Sequence, residues 1–312
     1  MQAKGFRRGP KLVVCFQEEN QVVIHDLENE NRRIIEVERP GKCVASLHLV
    51  AVLTASDGLH LYTPDDVLIH IVPDSMHARC VAVHPCNTNI LAIGYDDGSV
   101  RIWDISTQVY VSLFKEHTDG ISNIRFEPYG RLFLSSYDKT ASIVTLDDQF
   151  QFVSSVKFKG HTDRVFDILP LPASSQCVTC SGDSTIKVWD CGTGVCLRTL
   201  TQHASAVISL AMHVNGQHFA SGSFDRSVII WSSETFEVLR RISLPKMVHS
   251  LEFDENDTLY CGVYEHGVMS CNALTGEVGP VVIPATGSIR GLALGESLSL
   301  YCTKQTTPHS HS

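Results

Sequence analysis

Gly160-His161 … Ser181-Gly182-Asp183 … Trp189-Asp190, followed by Gln202-His203 … Ser223-Phe224-Asp225 … Trp231, is the stretch whose reading decides the fold. His161 to Asp183 and His203 to Asp225 are each 22 residues, and Asp to Trp is 6 in both copies. Self-similarity at a fixed period of about 40–45 residues marks a repeated supersecondary unit that buries its apolar face only by stacking on its neighbours. Trp189 to Trp231 is 42 residues, and Trp103 to Trp189 is 86, two periods with Val144 near the middle. Asp138 lies six before Val144 with His117 upstream, and Asp97 lies six before Trp103 with His77 upstream. Cys271 follows Trp231 by 40 residues, Tyr62 precedes Trp103 by 41, and His25 precedes Tyr62 by 37. Seven equivalent positions (His25, Tyr62, Trp103, Val144, Trp189, Trp231 and Cys271) predict seven units.

Within each unit, short period-2 apolar runs bounded by Asp-Gly, Ser-Gly and Asn-Gly turns read as four strands, a to d. Strand a follows the histidine (81–83, 121–126, 165–169, 207–212), b ends near the aspartate (90–93, 132–135, 177–180, 218–221). Strand c ends at the tryptophan (99–103, 185–189, 227–231), and d follows it (109–114, 196–200, 236–242). No helical periodicity of useful length competes. The expected architecture is all-β: four-stranded antiparallel blades in a seven-bladed propeller. Runs at 12–16, 22–26 and 33–37 suit b, c and d of a first blade, whose strand a would come from 289–294. The N- and C-terminal segments then share a blade and close the ring. The run 298–302 also reads as a strand and is surplus to that closure. The expected organisation is a basic tail over 1–11, one propeller over 12–303 and a polar tail over 304–312.

The chain has 312 residues, 43% hydrophobic, enough for a large buried core. No apolar run approaches the roughly 18 residues that a spanning helix needs. The basic start MQAKGFRRGPK leads into no signal-type apolar segment, so secretion is not expected. Eleven cysteines then read as reduced thiols. The expected location is intracellular, cytoplasmic or nuclear. A net charge of −9 disfavours nucleic acid or an anionic membrane as the main partner. Neither integral membrane association, a cofactor nor a small-molecule substrate is expected.

The recurring residues suit a chain of hydrogen bonds across a blade. A histidine and an aspartate form a charge-assisted pair, a serine hydroxyl relays, and the indole N–H donates. This set resembles the structural tetrad of the WD40-repeat proteins, strongly in four blades and weakly in the first, second and seventh. On that reading one tetrad is His161, Ser181, Asp183 and Trp189, and the second is His203, Ser223, Asp225 and Trp231. Val144 and Cys271 replace the tryptophan elsewhere, and Tyr95 stands where the third blade should have its serine. The His-Asp-Ser sets are therefore scaffold, not catalytic triads. The resemblance implies a non-enzymatic scaffold that binds peptides or domains of other proteins on the propeller face and assembles a multiprotein complex.

Other motifs carry less. Cys177 and Cys180 form a C-x-x-C, but on a strand positions three apart face opposite sides, so no metal site is expected. Phe6-Arg7-Arg8-Gly9 matches the FRRG signature of phosphoinositide-binding propellers, though it lies in the N-terminal tail. A ubiquitin-ligase substrate adaptor is the alternative function. Trp103-Asp104-Ile105-Ser106 and Trp189-Asp190-Cys191-Gly192 lack the arginine that would favour it.

In this family partners dock on the face that carries the d–a and b–c loops. The residue before each tetrad aspartate projects there: Asp96, Tyr137, Gly182 and Phe224, with Tyr264 in the seventh blade. Thr118, Asp119, Thr162, Asp163 and Arg164 come from the d–a loops. Tyr137, Arg164, Phe224, Tyr264, Asp96 and Asp163 form the expected partner site, since exposed aromatics beside arginine make binding hot spots. The competing expectation is that the aromatics fold down over neighbouring blades.

Overall fold

A computed structural model describes residues 11–294, apart from 17–18, 28–29, 46–48, 55–57, 64, 74–76, 128–129, 173 and 286–288. Phe6-Arg7-Arg8-Gly9, the surplus run 298–302 and both expected tails past these limits lie outside the described residues. Among the described residues every regular element is a strand, and the strands form seven four-stranded antiparallel sheets. Blades 2 to 7 each take four consecutive strands in the order a-b-c-d. Strand a is Cys43–Ala45, Ala78–Val83, Ile121–Phe126, Val165–Leu171, Val207–Met212 and Val248–Phe253 in turn.

Blade 1 is composite. Its strands b, c and d are Lys11–Phe16, Gln21–Asp26 and Arg32–Glu36, and its strand a is Ile289–Leu294 from the far end of the chain. Leu12 pairs with Leu294, Val14 with Leu292 and Cys15 with Gly291, so the ring closes through a ladder of backbone hydrogen bonds. The seven positions spaced along the sequence are equivalent in space. All lie on strand c, and each pairs with a residue early in strand b: His25 with Leu12, Trp103 with Leu91, Val144 with Leu132, Trp189 with Cys177, Trp231 with Phe219.

The core is divided between the blade interfaces. Seven apolar clusters of buried residues each join one blade to the next, including one that joins blade 7 to blade 1. Each strand-c tryptophan packs toward the preceding blade. Trp189 sits with Phe133 and Phe158 of blade 4, and Trp231 with Val178 and Val188 of blade 5. Both indoles are essentially fully buried, and a large apolar side chain so buried contributes about 1.5–3 kcal/mol. Cys177 faces the blade 4 interface and Cys180 the blade 6 interface, as alternation on a strand requires. The ten described cysteines are free thiols.

Candidate functional site: the channel mouth

The b–c turns fix both the tetrads and the residues beside them. In blade 5, His161 Nδ1 lies 2.8 Å from Asp183 Oδ2 and Nε2 lies 2.7 Å from Thr179 Oγ1. Trp189 Nε1–H donates to the same Thr179 oxygen at 2.8 Å. The Asp183 carboxylate only accepts, so the proton of a neutral His161 imidazole sits on Nδ1 toward it, and the threonine hydroxyl accepts from the indole and donates its hydrogen to Nε2. Blade 6 repeats this with Ser221: His203 Nε2 and Trp231 Nε1 both lie 2.8 Å from its hydroxyl, and His203 Nδ1 lies 2.8 Å from Asp225 Oδ2.

The relay is thus Thr179 and Ser221, not Ser181 and Ser223, two residues further along the same strand face. Trp189 stands opposite Cys177, and its ring reaches the diagonal neighbour two residues on, which is residue 179. Ser181 and Ser223 instead hold the turn. Each hydroxyl donates to a d–a loop carbonyl (Asp163 O at 3.0 Å, Ser205 O at 3.1 Å) and accepts the amide of the following aspartate, Asp183 or Asp225.

Blade 4 keeps His117 Nδ1 at 2.9 Å from Asp138 Oδ2 but takes its hydroxyl from Ser142 on strand c, 2.9 Å from Nε2. The relay position is Leu134 and the tryptophan position Val144, so the network shortens by one member. In blade 3 the expected His77–Asp97 pair does not form. His77 O accepts the Asp96 amide, the place held by Gly120 O, Arg164 O and Ala206 O in the next three blades, so His77 lies past the tetrad position. Burial alone would raise the Asp183 carboxyl, but His161, Thr185 and the Thr162 amide outweigh it and hold it well below the usual carboxylate range. Asp138 behaves likewise, and Asp225 falls to about 2 against the same burial.

Immediately above the tetrads, the residue before each aspartate is clamped in one way. The amides of Tyr137, Gly182, Phe224 and Tyr264 donate to Gly120 O, Arg164 O, Ala206 O and Met247 O, each at 2.9 Å. Strand a bulges at the same level in blades 3 to 7: Arg79, Ser122, Phe166, Ile208 and His249 are the residues skipped in its pairing with strand b. A bulge re-aims its extra side chain. Alternation counted along the strand therefore misses this set, and only a two-against-one mismatch in apolar register could have revealed it.

The two sets interleave at the mouth of the central channel, a cavity of about 760 Å³ walled by strands a. Arg79 donates to Asp96 Oδ1 at 2.5 Å and to the Tyr137 hydroxyl at 2.8 Å. Its guanidinium and that of Arg164 both stack on the Tyr137 ring, at 4.5 and 4.9 Å. Phe166 meets Tyr137 edge-on at 5.8 Å. Across blades 6 and 7, Phe224, His249 and Tyr264 form a second file with ring separations of 5.2 and 5.9 Å. Gly182 has no room for an aromatic: a Cβ there would stand 2.7 Å from Asp163 Oδ2 and 3.4 Å from Phe166.

Tyr137 and Phe224 are half-buried against the next blade and Tyr264 is half-buried beside His249 of its own blade, whereas Asp96, Asp163 and Arg164 are exposed. Asp96, Tyr137 and Phe224 line the channel; Asp163, Arg164 and Tyr264 stand outside its wall. Asp163 turns its carboxylate onto the Arg164 amide at 2.8 Å.

One residue past the bulge, Asp167 is buried and accepts from Asn123 and Arg125 of blade 4, from its own Ile168 amide and from the Leu210 amide of blade 6. Strand a, mostly aliphatic in sequence, thus carries an ionic clasp across three blades. Asp167 and, two positions further along strand a of blade 4, Arg125 are its trace in the sequence.

The sequence model of the WD domain, G-beta repeat, matches residues 70–104, 108–144, 152–190 and 194–232. Each match starts at strand d of one blade and ends with strand c of the next, so a sequence repeat spans two structural blades. A nuclear distribution protein PAC1 from Arthroderma otae is 30% identical over 160 residues, 48% of this chain and 34% of the relative. The periodic tryptophan protein 2 homolog of Caenorhabditis elegans is 28% identical over 168 residues, 48% of this chain and 17% of the relative. The U3 small nucleolar RNA-associated protein 15 homolog of Xenopus laevis is 28% identical over 183 residues, 57% of this chain and 34% of the relative. The aligned parts span about a third or less of these curated relatives. With four family repeats in register with its blades and a ring of seven, the chain belongs to the WD40-repeat β-propeller family.

Proposed function

We infer that the chain is a non-enzymatic interaction platform that holds a peptide or domain of another protein across the channel mouth, as a subunit of a larger assembly. The observation that carries this reading is the Arg79–Tyr137–Arg164 stack beside Phe166. Two cations face one aromatic ring at an open rim, and aromatic and arginine side chains held in place beforehand bind at low entropic cost. The exposed Arg164 guanidinium favours an acidic side chain on the partner, with Phe224, His249 and Tyr264 offering an apolar shelf opposite. The buried tetrads and the Asp167 clasp keep this rim rigid and carry no chemistry of their own.

One relative is named a nuclear distribution protein and another is named for association with a small nucleolar RNA; the second name is in keeping with a place for this chain in a larger assembly. For this chain a net charge of −9 favours the protein components of such an assembly. No helix among the described residues is long and apolar enough to cross a membrane. The ligase-adaptor alternative gains no supporting observation. Affinity capture with mass spectrometry tests the platform: wild type should retain a defined partner set that Arg79→Ala/Tyr137→Ala loses. An unchanged set would place binding elsewhere on the ring.

A further inference from the structure

The a–b hairpins of blades 6 and 7, on the face opposite the b–c turns, hold a cluster that the platform reading does not use. The a–b hairpin of blade 6 is closed by His213 N–H to His218 O at 3.1 Å and Gly216 N–H to His213 O at 2.8 Å. It stacks the two imidazoles 4.5 Å apart at 18°. Both are more than nine-tenths buried, with Phe253 of blade 7 edge-on to each ring at 5.3 and 5.6 Å. Both Nε2 atoms are buried and make no hydrogen bond, yet both aim at one oxygen. Asp257 Oδ1, from the a–b loop of blade 7, lies 3.2 Å from His213 Nε2 and 3.5 Å from His218 Nε2. Asp257 has a left-handed backbone, φ 61°, a conformation that aspartate tolerates better than most residues.

We propose that His213 Nε2, His218 Nε2 and Asp257 Oδ1 bind a late first-row divalent cation, Zn²⁺ in the first place, which clamps the hairpins of blades 6 and 7 together. The three donor atoms lie within 4.8 Å of one another. Donors at Zn²⁺ distances of about 2.0–2.1 Å on a tetrahedron stand roughly 3.3 Å apart, and the two nitrogen–oxygen separations bracket that edge. Two imidazoles and a carboxylate suit zinc and its neighbours better than Ca²⁺ or Mg²⁺. Asp257 is partly exposed, which gives the cation an entry path and a fourth position for water.

The His213 Nδ1 accepts the Asn215 amide at 3.2 Å, so ligation moves the ring proton from Nε2 to Nδ1 and turns the exposed Asn215 amide to water, with no net proton release. Blade 3 supplies the contrast. His84 caps its hairpin through Nδ1 in the same way, accepting the Cys86 and Asn87 amides, but Ile90 stands at the second histidine's position. There the neighbouring blade sets Phe126 and Phe150 edge-on to the His84 ring.

The test uses the full chain carrying His309→Ala and His311→Ala, which removes the terminal histidines as competing donors. It is stripped with EDTA and equilibrated with ZnCl2 or CoCl2; metal content, visible absorption and Tm are then read. One Zn²⁺ per chain, the d–d bands of four-coordinate Co²⁺ and a Tm that climbs with Zn²⁺ are expected. His218→Ala and Asp257→Asn should each weaken binding by more than about tenfold and abolish the Tm rise. If His218→Ala does not fold, the partly exposed, isosteric Asp257→Asn decides alone. No retained Zn²⁺, or equal retention with and without Asp257→Asn, overturns the site.

Discussion

Blades 3 and 6 place a tryptophan at the same register and treat it differently. Trp231 donates to Ser221 and completes a network with His203 and Asp225. Trp103 has Ile93 at the relay position, and its buried Nε1 donates to nothing among the described residues. Its ring packs against Tyr110 at 4.7 Å and His70 at 6.0 Å, while Arg101 stacks on Tyr95 and Tyr110. Both blades stand. Apolar packing between blades therefore carries the ring, and the tetrad adds stability and rigidity where it survives.

The largest effect should come from removing the carboxylate that accepts the imidazole N–H. Asp225→Ala strands His203 and the Ala204 amide and should cost about 3 kcal/mol, whereas Asp97→Ala, which loses only local bonds to Ser99, should cost about 1 kcal/mol. Urea unfolding of the two variants reads the difference, and equal losses would break the comparison. Next in size is the relay. Ser221→Ala leaves both an imidazole and an indole unpaired, about 2 kcal/mol, and Ser223→Ala should cost about half as much because it loses only turn bonds. The reverse order would restore Ser223 to the tetrad. Smaller again, Trp231→Phe forfeits a hydrogen bond beyond its lost packing. Trp103→Phe removes a donor that has no partner, so Trp231→Phe should be the costlier by about 1 kcal/mol.

Acid sharpens the contrast further. His203 is held below its ordinary pKa by burial, against the pull of Asp225, and His84 likewise by burial. The unfolded chain then takes up protons that the folded chain refuses, so stability declines as pH falls below about 6.5. Asp225 sits at about 2 in the fold; its contribution is complete above an unfolded value of about 3.9 and is lost as pH falls toward 2. Tm against pH should therefore fall in two stages, with Asp225→Asn removing part of the lower one. A Tm flat from pH 7 to 3 would contradict this.

Much of the fold was legible because the repeat reports one strand position seven times, and a period survives even where its residue does not, as at Val144. The composite first blade was legible for the same reason, since three strands at one end lacked the fourth that the other end supplied. The tetrad hydroxyl was misread because Thr179 and Ser181 share a face, and so do Ser221 and Ser223. The choice depends on diagonal reach, which spacing along one strand cannot report. His77 was placed in a tetrad on separation alone, without the turn hydrogen bonds that set its depth. Arg79, Phe166 and His249 escaped notice because the bulges that aim them break the alternation used to find exposed positions. Tyr137, Phe224 and Tyr264 were weighed both as exposed aromatics and as aromatics folded over neighbouring blades; Tyr137 and Phe224 lean on the next blade, and Tyr264 packs beside His249 of its own blade.

On the proposed function one turn divides two roles: Asp138 holds the blade, and Tyr137, its neighbour, faces the partner. Parallel measurement of Tm and partner capture for Asp138→Ala and Tyr137→Ala tests it most directly. Asp138→Ala should lower stability by about 3 kcal/mol while its surviving folded fraction still captures partner. Tyr137→Ala should stay within about 1 kcal/mol of wild type and lose capture. A Tyr137→Ala protein that binds as wild type does would contradict the account.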